Sequence, residues 1–274
     1  MTASFNEPTN VSSDTGTEKS IKAPAVSVML CTNQIDSYFE EALLSLRKQT
    51  LRDIEIVVVA NGLKEGQDQQ LKRICTDSRI RVFFTAMQGV TFSRNLALHE
   101  AKSDLIAVLD ADDIAYPERL SRQYDFMVKH PEVMVLGGNY DSIDADGKTF
   151  FTSGLPLDDA SIRKKLVTSN PICHPTTMFR KQRAMVAGGY GGGLAQDYEL
   201  WIRLLSHSKD QFVNLPDPLI GYRVPVVSKA RMSRRAYAQV ASSQWRQFVM
   251  TKQLKWGFAS IVSAGKAWFR SRQG

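Results

Sequence analysis

Four short apolar runs before residue 110 place the strongest constraint on the fold of this 274-residue chain. They cover residues 26–30, 54–59, 80–84 and 105–109, and segments with helical spacing of apolar side chains separate them. Apolar strands that alternate with helices build a parallel sheet covered by helices on both faces. The first half of the chain therefore predicts an α/β fold.

The second half has a less regular pattern. It predicts strands at 133–136, ending at Gly137 and Gly138, and at 175–179, and helices at 161–167 and 195–205. Five glycines between residues 188 and 193 predict a loop. Such a loop is either a lid over a binding site or a plain connector, and gating loops are common in transferases, which favours the lid.

The fourth apolar run ends in three carboxylates, Asp110, Asp112 and Asp113. Ligands collect at the carboxyl ends of parallel strands, and crowded carboxylates favour a divalent cation. Magnesium and manganese prefer such oxygen ligands and usually bring substrate phosphates with them. A solvated turn before a helix near Pro117 accounts for the same residues equally well, so this run alone leaves both interpretations open.

Separated motifs along residues 24–224 follow one order, and together they resemble family-two glycosyltransferases of the GT-A fold. That fold is a Rossmann-related, mostly parallel sheet flanked by helices, here with a C-terminal helical extension. The motifs that carry the resemblance are residues 27–32, 57–62, Gln88-Gly89, Ser93-Arg94-Asn95, 109–113 with Pro117, Arg119 and Leu120, 174–180, Gly188-Gly189-Tyr190, 196–201 and Tyr222-Arg223.

The resemblance implies a metal-dependent inverting enzyme that moves a sugar from a nucleotide-diphosphate donor to a saccharide hydroxyl, in bacterial surface or exopolysaccharide synthesis. By this resemblance Asp112 ligates Mn2+ or Mg2+, Asp110 contacts the donor ribose, and Asp197 deprotonates the acceptor. The remaining residues assigned in this way are Thr32, Asn61 and Arg94 on the donor side, and His174, Gln196 and Trp201 on the acceptor side.

Several positions depart from the family pattern. Ala60 and Asn61 stand where the family usually has acidic residues, yet an asparagine still pairs with the imide edge of uracil or thymine, so a UDP-sugar is favoured. Gln196 replaces the usual glutamate, and Pro225 stands where many members carry a histidine near the metal. Arg94 either approaches the donor phosphates or pairs with an acid on its own helix. His174 is either an acceptor residue or a structural histidine.

The net charge of +7 belongs to the end of the chain, because eleven of the 35 Lys and Arg residues follow Pro218 and none of the 28 acidic residues does. Residues 225–274 predict a basic amphipathic helical tail that lies in a membrane interface, which suits a lipid-linked acceptor. Packing on the catalytic domain and an oligomer contact are the alternatives. The predicted apolar face comprises Ala241, Trp245, Phe248, Val249, Trp256 and Ala259.

The composition also indicates the cellular compartment in which we expect the protein. Residues 1–23 are polar without an apolar core and predict a disordered leader rather than a signal peptide. Three separated cysteines indicate neither a disulfide framework nor a zinc site, which favours a reducing compartment. We therefore expect a cytoplasmic protein, peripheral on the inner face of the cell membrane. The basic charge also suggests nucleic acid, but no recognition motif accompanies it, so no nucleic-acid partner is expected.

Two other functions remain open at this point. A nucleotidyltransferase also holds metal-bound nucleotide phosphates on an α/β sheet, although residues 31–34 lack the glycine-rich basic loop expected after its first strand. A non-catalytic nucleotide-sugar-binding protein is the second alternative, suggested by Ala60 and Gln196.

Overall fold

The computed structural model describes residues 22–207, 209–224 and 233–270. Residues 1–21 of the predicted leader, and Pro225, lie outside these ranges. The strands are β1 (Val26–Thr32), β2 (Ile54–Asn61), β3 (Ile80–Thr85), β4 (Leu105–Asp110), β5 (Ile114–Ala115), β6 (Val133–Ile143), β7 (Thr149–Thr152), β8 (Met178–Arg180) and β9 (Gln211–Arg223). The helices are α1 (Ser37–Arg47), α2 (Gln67–Ile74), α3 (Val90–Glu100), α4 (Arg119–Lys129), α5 (Asp159–Leu166), α6 (Lys181–Val186), α7 (Gln196–His207), α8 (Arg234–Thr251) and α9 (Leu254–Arg270).

Within the described residues the strands form one sheet in the order β3-β2-β1-β4-β8-β6-β9-β5, with β7 paired to β6. Strands β3, β2, β1 and β4 run parallel, as the apolar runs predict. Strand β8 lies antiparallel between β4 and β6, and β6 pairs in parallel with β9. The sheet is therefore parallel on its first side and mixed on its second.

Alternate side chains of the central strands enter two separate apolar layers, one on each face of the sheet. Met29, Val57 and Val108 belong to one layer, which also holds Trp201. Their neighbours Leu30 and Val58 belong to the other layer, beneath α1 and α4. Burial on both faces explains the continuous apolar runs. It also leaves the strand ends, where polar residues begin, as the place for a site.

Strand β6 does not end at the glycine pair, and this corrects the prediction. It continues through Gly137 and Gly138 to Ile143, paired with β9 along its length. A Cβ at Gly137 would lie 2.3 Å from Asn214 Oδ1, and one at Gly138 would lie 2.5 Å from a Leu219 methyl carbon. These glycines therefore permit close approach of two strands instead of a turn. Pro216 and Pro218 interrupt the pattern of β9, which the sequence did not predict.

The C-terminal segment forms two helices instead of the single helical face predicted. Lys252 takes a left-handed conformation with φ of 56° and ends α8, and α9 then packs against α8. Trp256, Ala241 and Ala259 are buried in this packing, whereas Trp245 and Val249 are exposed. The predicted face is thus divided, because the reversal at Lys252 changes the helical phase. Among the described helices, none combines the length and apolar character that a membrane crossing requires.

Candidate active site

An open cavity of about 680 Å3 lies at the carboxyl ends of β1 and β2, beside the end of β4. Thr32, Asn61 and Asp112, all predicted on the donor side, line it. Other residues that line the cavity include Tyr38, Gly62, Gln88 and Gly89. The cavity stands where ligands bind in open α/β sheets.

Asn61 is held in a fixed orientation at the floor of this cavity. Its Nδ2 donates to Ser93 Oγ at 2.5 Å and to the Gly89 carbonyl at 3.5 Å. Its Oδ1 accepts no hydrogen bond from the described residues, so a carbonyl acceptor is left for a ligand. Thr32 Oγ1 instead closes a local turn, because it donates to the Gln34 carbonyl at 2.5 Å. Thr32 therefore shapes the wall of the cavity.

The three carboxylates of the acidic segment (residues 110–113) occupy different surroundings. Asp112 faces the first cavity, Asp110 faces a second cavity described below, and Asp113 is fully buried. Burial and then repulsion by Asp110 raise the pKa of Asp112 and, more strongly, that of Asp113. Repulsion from Asp110 is the second cause in both cases, and a cation in the first cavity would relieve it.

Arg223, at the end of β9, fixes the acidic segment from behind. Its backbone N–H donates to Asp113 Oδ1 at 2.9 Å, and its Nε donates to the Asp112 carbonyl at 2.9 Å. The same guanidinium pairs with Glu41 at 2.6 Å and lies over the Tyr38 ring. Since these contacts leave the Asp112 carboxylate free, that oxygen pair is presented to the cavity.

The residues present fit a divalent cation that a substrate helps to bind. No group of three His, Cys, Asp or Glu side chains converges within the described part of the chain. Magnesium is commonly held by one or two carboxylates together with substrate phosphates, and the remaining ligands are water. Asp112 at the rim of the first cavity matches that pattern, whereas a closed all-protein metal cage does not.

A second cavity of about 340 Å3 lies on the other side of the acidic segment. Asp110, Arg94, His174, Gln196 and Asp197 line it, so most of the residues predicted around the acceptor meet here. Asp197 stands in the first turn of α7, where the positive end of the helix dipole favours a carboxylate. The two cavities share the acidic segment as their common wall.

Asp197 is the half-buried acid of this second cavity. Its Oδ2 accepts a hydrogen bond from Asn170 Nδ2 at 2.8 Å. Burial, with a further contribution from the negative charge of Asp110, raises the pKa of Asp197 above the usual aspartate value. A raised pKa brings a carboxylate closer to the proton affinity that a general base needs at neutral pH.

Arg94 bridges Asp110 and Gln196 in this cavity. Its Nη2 donates to Asp110 Oδ1 at 2.8 Å, so its partner lies on β4 and not on its own helix. With the Gln196 amide oriented to satisfy its neighbours, Nη1 of Arg94 donates to the Gln196 oxygen at 2.6 Å. Arg94 therefore joins the acidic segment to the start of α7. It lines the second cavity rather than the first.

His174 lines the second cavity, whereas Trp201 lies beneath it in the core. His174 Nε2 shares a hydrogen bond with Tyr190 Oη at 2.9 Å, and burial lowers the pKa of His174, so its ring is neutral. Trp201 is fully buried and packs against the rings of His174 and Phe179. It lines neither cavity, so its burial does not support the predicted contact with the acceptor, which stays a prediction.

No feature of the sequence marks Asn170, and the family pattern that contains Tyr190 and Arg223 predicted no role in the site for either residue. That pattern was the only signal for these two residues. Asn170 lies in a loop, and no spacing relates it to Asp197. Only the packing of α7 against that loop brings the amide and the carboxylate together.

Comparison with known protein families gives matches over most of the chain. The model described as "Glycosyl transferase family 2" matches residues 27–187. The O-antigen biosynthesis glycosyltransferase WbnJ of Escherichia coli is 30% identical over 233 residues, which are 84% of this chain and 91% of WbnJ. The amylovoran biosynthesis glycosyltransferase AmsE of Erwinia amylovora is 31% identical over 215 residues, which are 76% of this chain and 79% of AmsE.

Solved structures with the same architecture are more distant in sequence. S. aureus TarS 1-349 in complex with UDP-GlcNAc has a TM-score of 0.64 and 20% identity, over 82% of this chain and 65% of TarS 1-349. The mannosyltransferase PcManGT from Pyrobaculum calidifontis, in complex with GDP-Man and Mn2+, has a TM-score of 0.64 and 16% identity, over 91% of this chain and 74% of PcManGT. These likenesses confirm the predicted GT-A fold.

Proposed function

Since the chain belongs to glycosyltransferase family 2, we propose that it moves a sugar from a nucleotide-diphosphate donor to an acceptor hydroxyl with inversion at the anomeric carbon. Family membership makes the chain a glycosyltransferase, and it favours this function over the nucleotidyltransferase and the non-catalytic binder. The observation that carries the proposed mechanism is the placement of Asp112 and Asp197 in two cavities with a common wall.

In the proposed reaction the donor diphosphate lies beside Asp112 and the sugar points toward the second cavity. The acceptor hydroxyl oxygen attacks the anomeric carbon from the side of Asp197, and the bond from that carbon to the diphosphate oxygen breaks. Asp197 takes the hydroxyl proton, and the nucleoside diphosphate leaves with the electron pair. Asn170 holds the Asp197 carboxylate, and Arg94 holds Asp110 beside the donor.

We propose Mn2+ or Mg2+ as cofactor, held by Asp112. When bound, such a cation neutralises charge that develops on the leaving diphosphate, which is usually the largest contribution to catalysis of this kind. The pKa of Asp112 is raised first by burial and then by repulsion from Asp110, and a cation beside this carboxylate would offset the second of these causes.

A UDP-sugar is the donor that this site favours. Asn61 presents a carbonyl oxygen while Ser93 and Gly89 occupy its amide, so it accepts the imide N–H of uracil. Cytosine carries an unprotonated ring nitrogen at that position. Its lone pair would face the Asn61 oxygen, and two acceptors cannot form a hydrogen bond. Among the structural neighbours, one is in complex with UDP-GlcNAc and one with GDP-Man. Guanine also carries a ring N–H, so GDP is the competitor.

We expect UDP to stabilise the protein only when Mn2+ is present. A ligand at a hundred times its dissociation constant adds about 2.7 kcal/mol to the free energy of unfolding, which shifts the melting temperature measurably. The measurement is a thermal melt with UDP, GDP, dTDP and CMP, each with and without Mn2+. If GDP stabilises the protein and the other nucleotides do not, the donor is a GDP-sugar. No shift with any nucleotide would remove the support for a donor site.

The names of the relatives suggest the class of product to which the reaction contributes. WbnJ is an O-antigen enzyme and AmsE an amylovoran enzyme, and both products are polysaccharides. We propose that this enzyme extends a surface or exopolysaccharide intermediate, with a lipid-linked saccharide as acceptor. A lipid-linked acceptor requires the enzyme to work at a membrane surface, so we propose a cytoplasmic enzyme that is peripheral on the inner face of the cell membrane.

The C-terminal helices offer the surface for that attachment, although not the face predicted from the sequence. The inner side of α8 packs on the domain, where Gln244 Nε2 donates to the Val167 carbonyl at 2.9 Å. The outer side of the pair carries large apolar side chains that are 47–80% exposed. Lysines flank them on α9, and an acid-free apolar face suits anionic lipid. These side chains are Trp245, Val249, Met250, Leu254, Phe258, Ile261, Val262, Trp268 and Phe269.

We expect the double substitution Phe258→Ser and Ile261→Ser to release the enzyme from anionic vesicles. Each side chain contributes about 1.5–3 kcal/mol when it leaves water, so binding should fall at least about tenfold. Flotation with phosphatidylcholine vesicles, with and without phosphatidylglycerol, measures this. The matched control is Val128→Ser with Val186→Ser, both exposed apolar residues outside α8 and α9. Equal flotation of the two double variants would contradict the membrane surface.

A further inference from the structure

Helix α8 contacts α7 through Gln244 and Arg246, and it contacts the backbone just before α7 through Gln239. Gln239 Oε1 accepts a hydrogen bond from the Leu194 backbone N–H at 2.6 Å. Leu194 follows the glycine-rich segment (residues 188–193) and precedes Gln196 and Asp197 at the start of α7. The backbone that leads into the proposed catalytic base is therefore fastened by a side chain from the C-terminal helices.

The glycine-rich segment lies close against that side chain. A Cβ at Gly193 would lie 2.8 Å from Gln239 Nε2, so any larger residue there would require the amide to shift. The neighbouring Gly192 has φ of +69°, and its carbonyl accepts from Thr91 Oγ1 at 3.0 Å. Contacts from α3 and α8 thus hold the segment from two sides.

Gln196 continues the path from the segment into the site. Its amide nitrogen donates to the Gly193 carbonyl at 2.7 Å while its oxygen accepts from Arg94. A glutamate, which the family usually has here, accepts from Arg94 but cannot donate to a carbonyl. The glutamine is therefore the residue that joins both partners. The path runs from Gln239 through Leu194 and Gly193 to Gln196, Arg94 and Asp110.

We propose that Gln239 is a positioning residue that holds the first turn of α7, and with it Asp197, in place for the reaction. The role rests on the proposed function, because it assigns Asp197 as the base. It makes the C-terminal helices part of the catalytic apparatus in addition to their proposed attachment to lipid. Gln239 itself does not line either cavity, so it acts only through the backbone that it holds.

Two substitutions separate this role from simple packing. Gln239→Leu keeps the size of the side chain but removes the acceptor for Leu194 N–H. Gln239→Glu retains a carboxylate oxygen as acceptor and should rescue the contact. Gln253→Leu, at an exposed glutamine between α8 and α9, is the matched control for an added apolar surface. Gln196→Glu interrupts the same series of hydrogen bonds at the next contact, because a carboxylate cannot donate to the Gly193 carbonyl.

Hydrogen exchange measured by mass spectrometry reads the contact directly. In Gln239→Leu we expect about threefold to tenfold faster exchange in the peptide that contains Leu194 and the first turn of α7, because a lost hydrogen bond opens that backbone. Gln239→Glu and Gln253→Leu should exchange like the wild type. Unchanged exchange in Gln239→Leu, or equal acceleration in Gln253→Leu, would overturn the proposal.

Turnover supplies the second readout. With UDP-GlcNAc, Mn2+ and water as acceptor, UDP release should fall about tenfold or more in Gln239→Leu, while the dissociation constant for UDP stays within about twofold. Rescue by Gln239→Glu is expected, and equal turnover of Gln239→Leu and wild type contradicts the positioning role. If the wild type neither binds nor turns over any nucleotide sugar, the proposed function fails, whereas the exchange experiment still decides whether Gln239 holds Leu194.

Discussion

Replacing Asp197 by asparagine is expected to lower kcat by about 10²–10⁴-fold, the usual contribution of a general base. Asparagine preserves size and keeps an oxygen for Asn170 Nδ2, but it cannot take the acceptor proton. Binding of the donor should be retained, since Asp197 faces the second cavity and not the first. Steady-state release of UDP from UDP-GlcNAc, together with calorimetric binding of UDP and Mn2+, measures both quantities.

Asp125→Asn serves as the matched control, because that carboxylate is exposed on α4, away from both cavities. It should leave turnover unchanged. If Asp197→Asn behaves like Asp125→Asn, Asp197 is not the base and the assignment from the second cavity is wrong. Loss of UDP binding together with turnover would instead indicate a structural role for Asp197.

The pH profile of the wild type gives an independent check on Asp197. Because burial raises its pKa, the carboxylate becomes protonated, and inactive as a base, at a higher pH than the usual aspartate value of 3.8. The rate should therefore fall as the pH decreases through the raised pKa of Asp197. At pH values above that pKa the rate should reach its full value. The acid limb of kcat/KM reports the essential acids of the free enzyme, Asp112 included, so the part of the limb that disappears in Asp197→Asn belongs to Asp197. A limb at the ordinary aspartate value would contradict the buried environment described here.

The second large effect is expected at Asp112. Asp112→Asn removes the negative charge that would hold the cation, so Mn2+-dependent stabilisation by UDP should disappear. Turnover should fall by about 10²–10³-fold, the cost of losing one electrostatic contribution to the leaving group. Thermal melts with UDP and Mn2+ and the UDP-release assay measure the two effects.

Asp125→Asn again provides the control for an aspartate lost elsewhere. The fold should survive Asp112→Asn, because Arg223 holds the backbone of the acidic segment through the Asp112 carbonyl and not through its carboxylate. Full retention of metal-dependent UDP binding in Asp112→Asn would show that other groups hold the cation.

The parallel half of the fold could be predicted from the sequence, because each strand is buried on both faces and so must be apolar along its length. The carboxyl end of such a strand is the first place where polar side chains are tolerated. This local rule predicts that Asp110, Asp112 and Asp113 lie at the end of β4, and it leaves open whether they form a site or a solvated turn. The course of β6 and β9 could not be predicted in this way, since Gly137 and Gly138 signal a turn unless the partner strand is known to lie against them.

The interior of the site depended on contacts between distant residues. Arg94 on α3 pairs with Asp110 on β4, Asn170 reaches Asp197 from a loop, and Arg223 reaches the acidic segment from the end of β9. None of these pairs has a sequence spacing that marks it. Likewise, a single helical face drawn through the tail missed the reversal at Lys252, which buries Trp256 and exposes Phe258.

By itself the sequence determined the α/β class, the positions of the first four strands along the chain and the carboxylates that follow the fourth strand. Each of these depends on local burial and periodicity. The tertiary structure decided which acid faces which cavity, which arginine neutralises Asp110 and which side of the tail stays exposed. Those outcomes depend on how helices pack on the sheet. Packing brings together side chains that are far apart along the chain, and no local pattern records their distance.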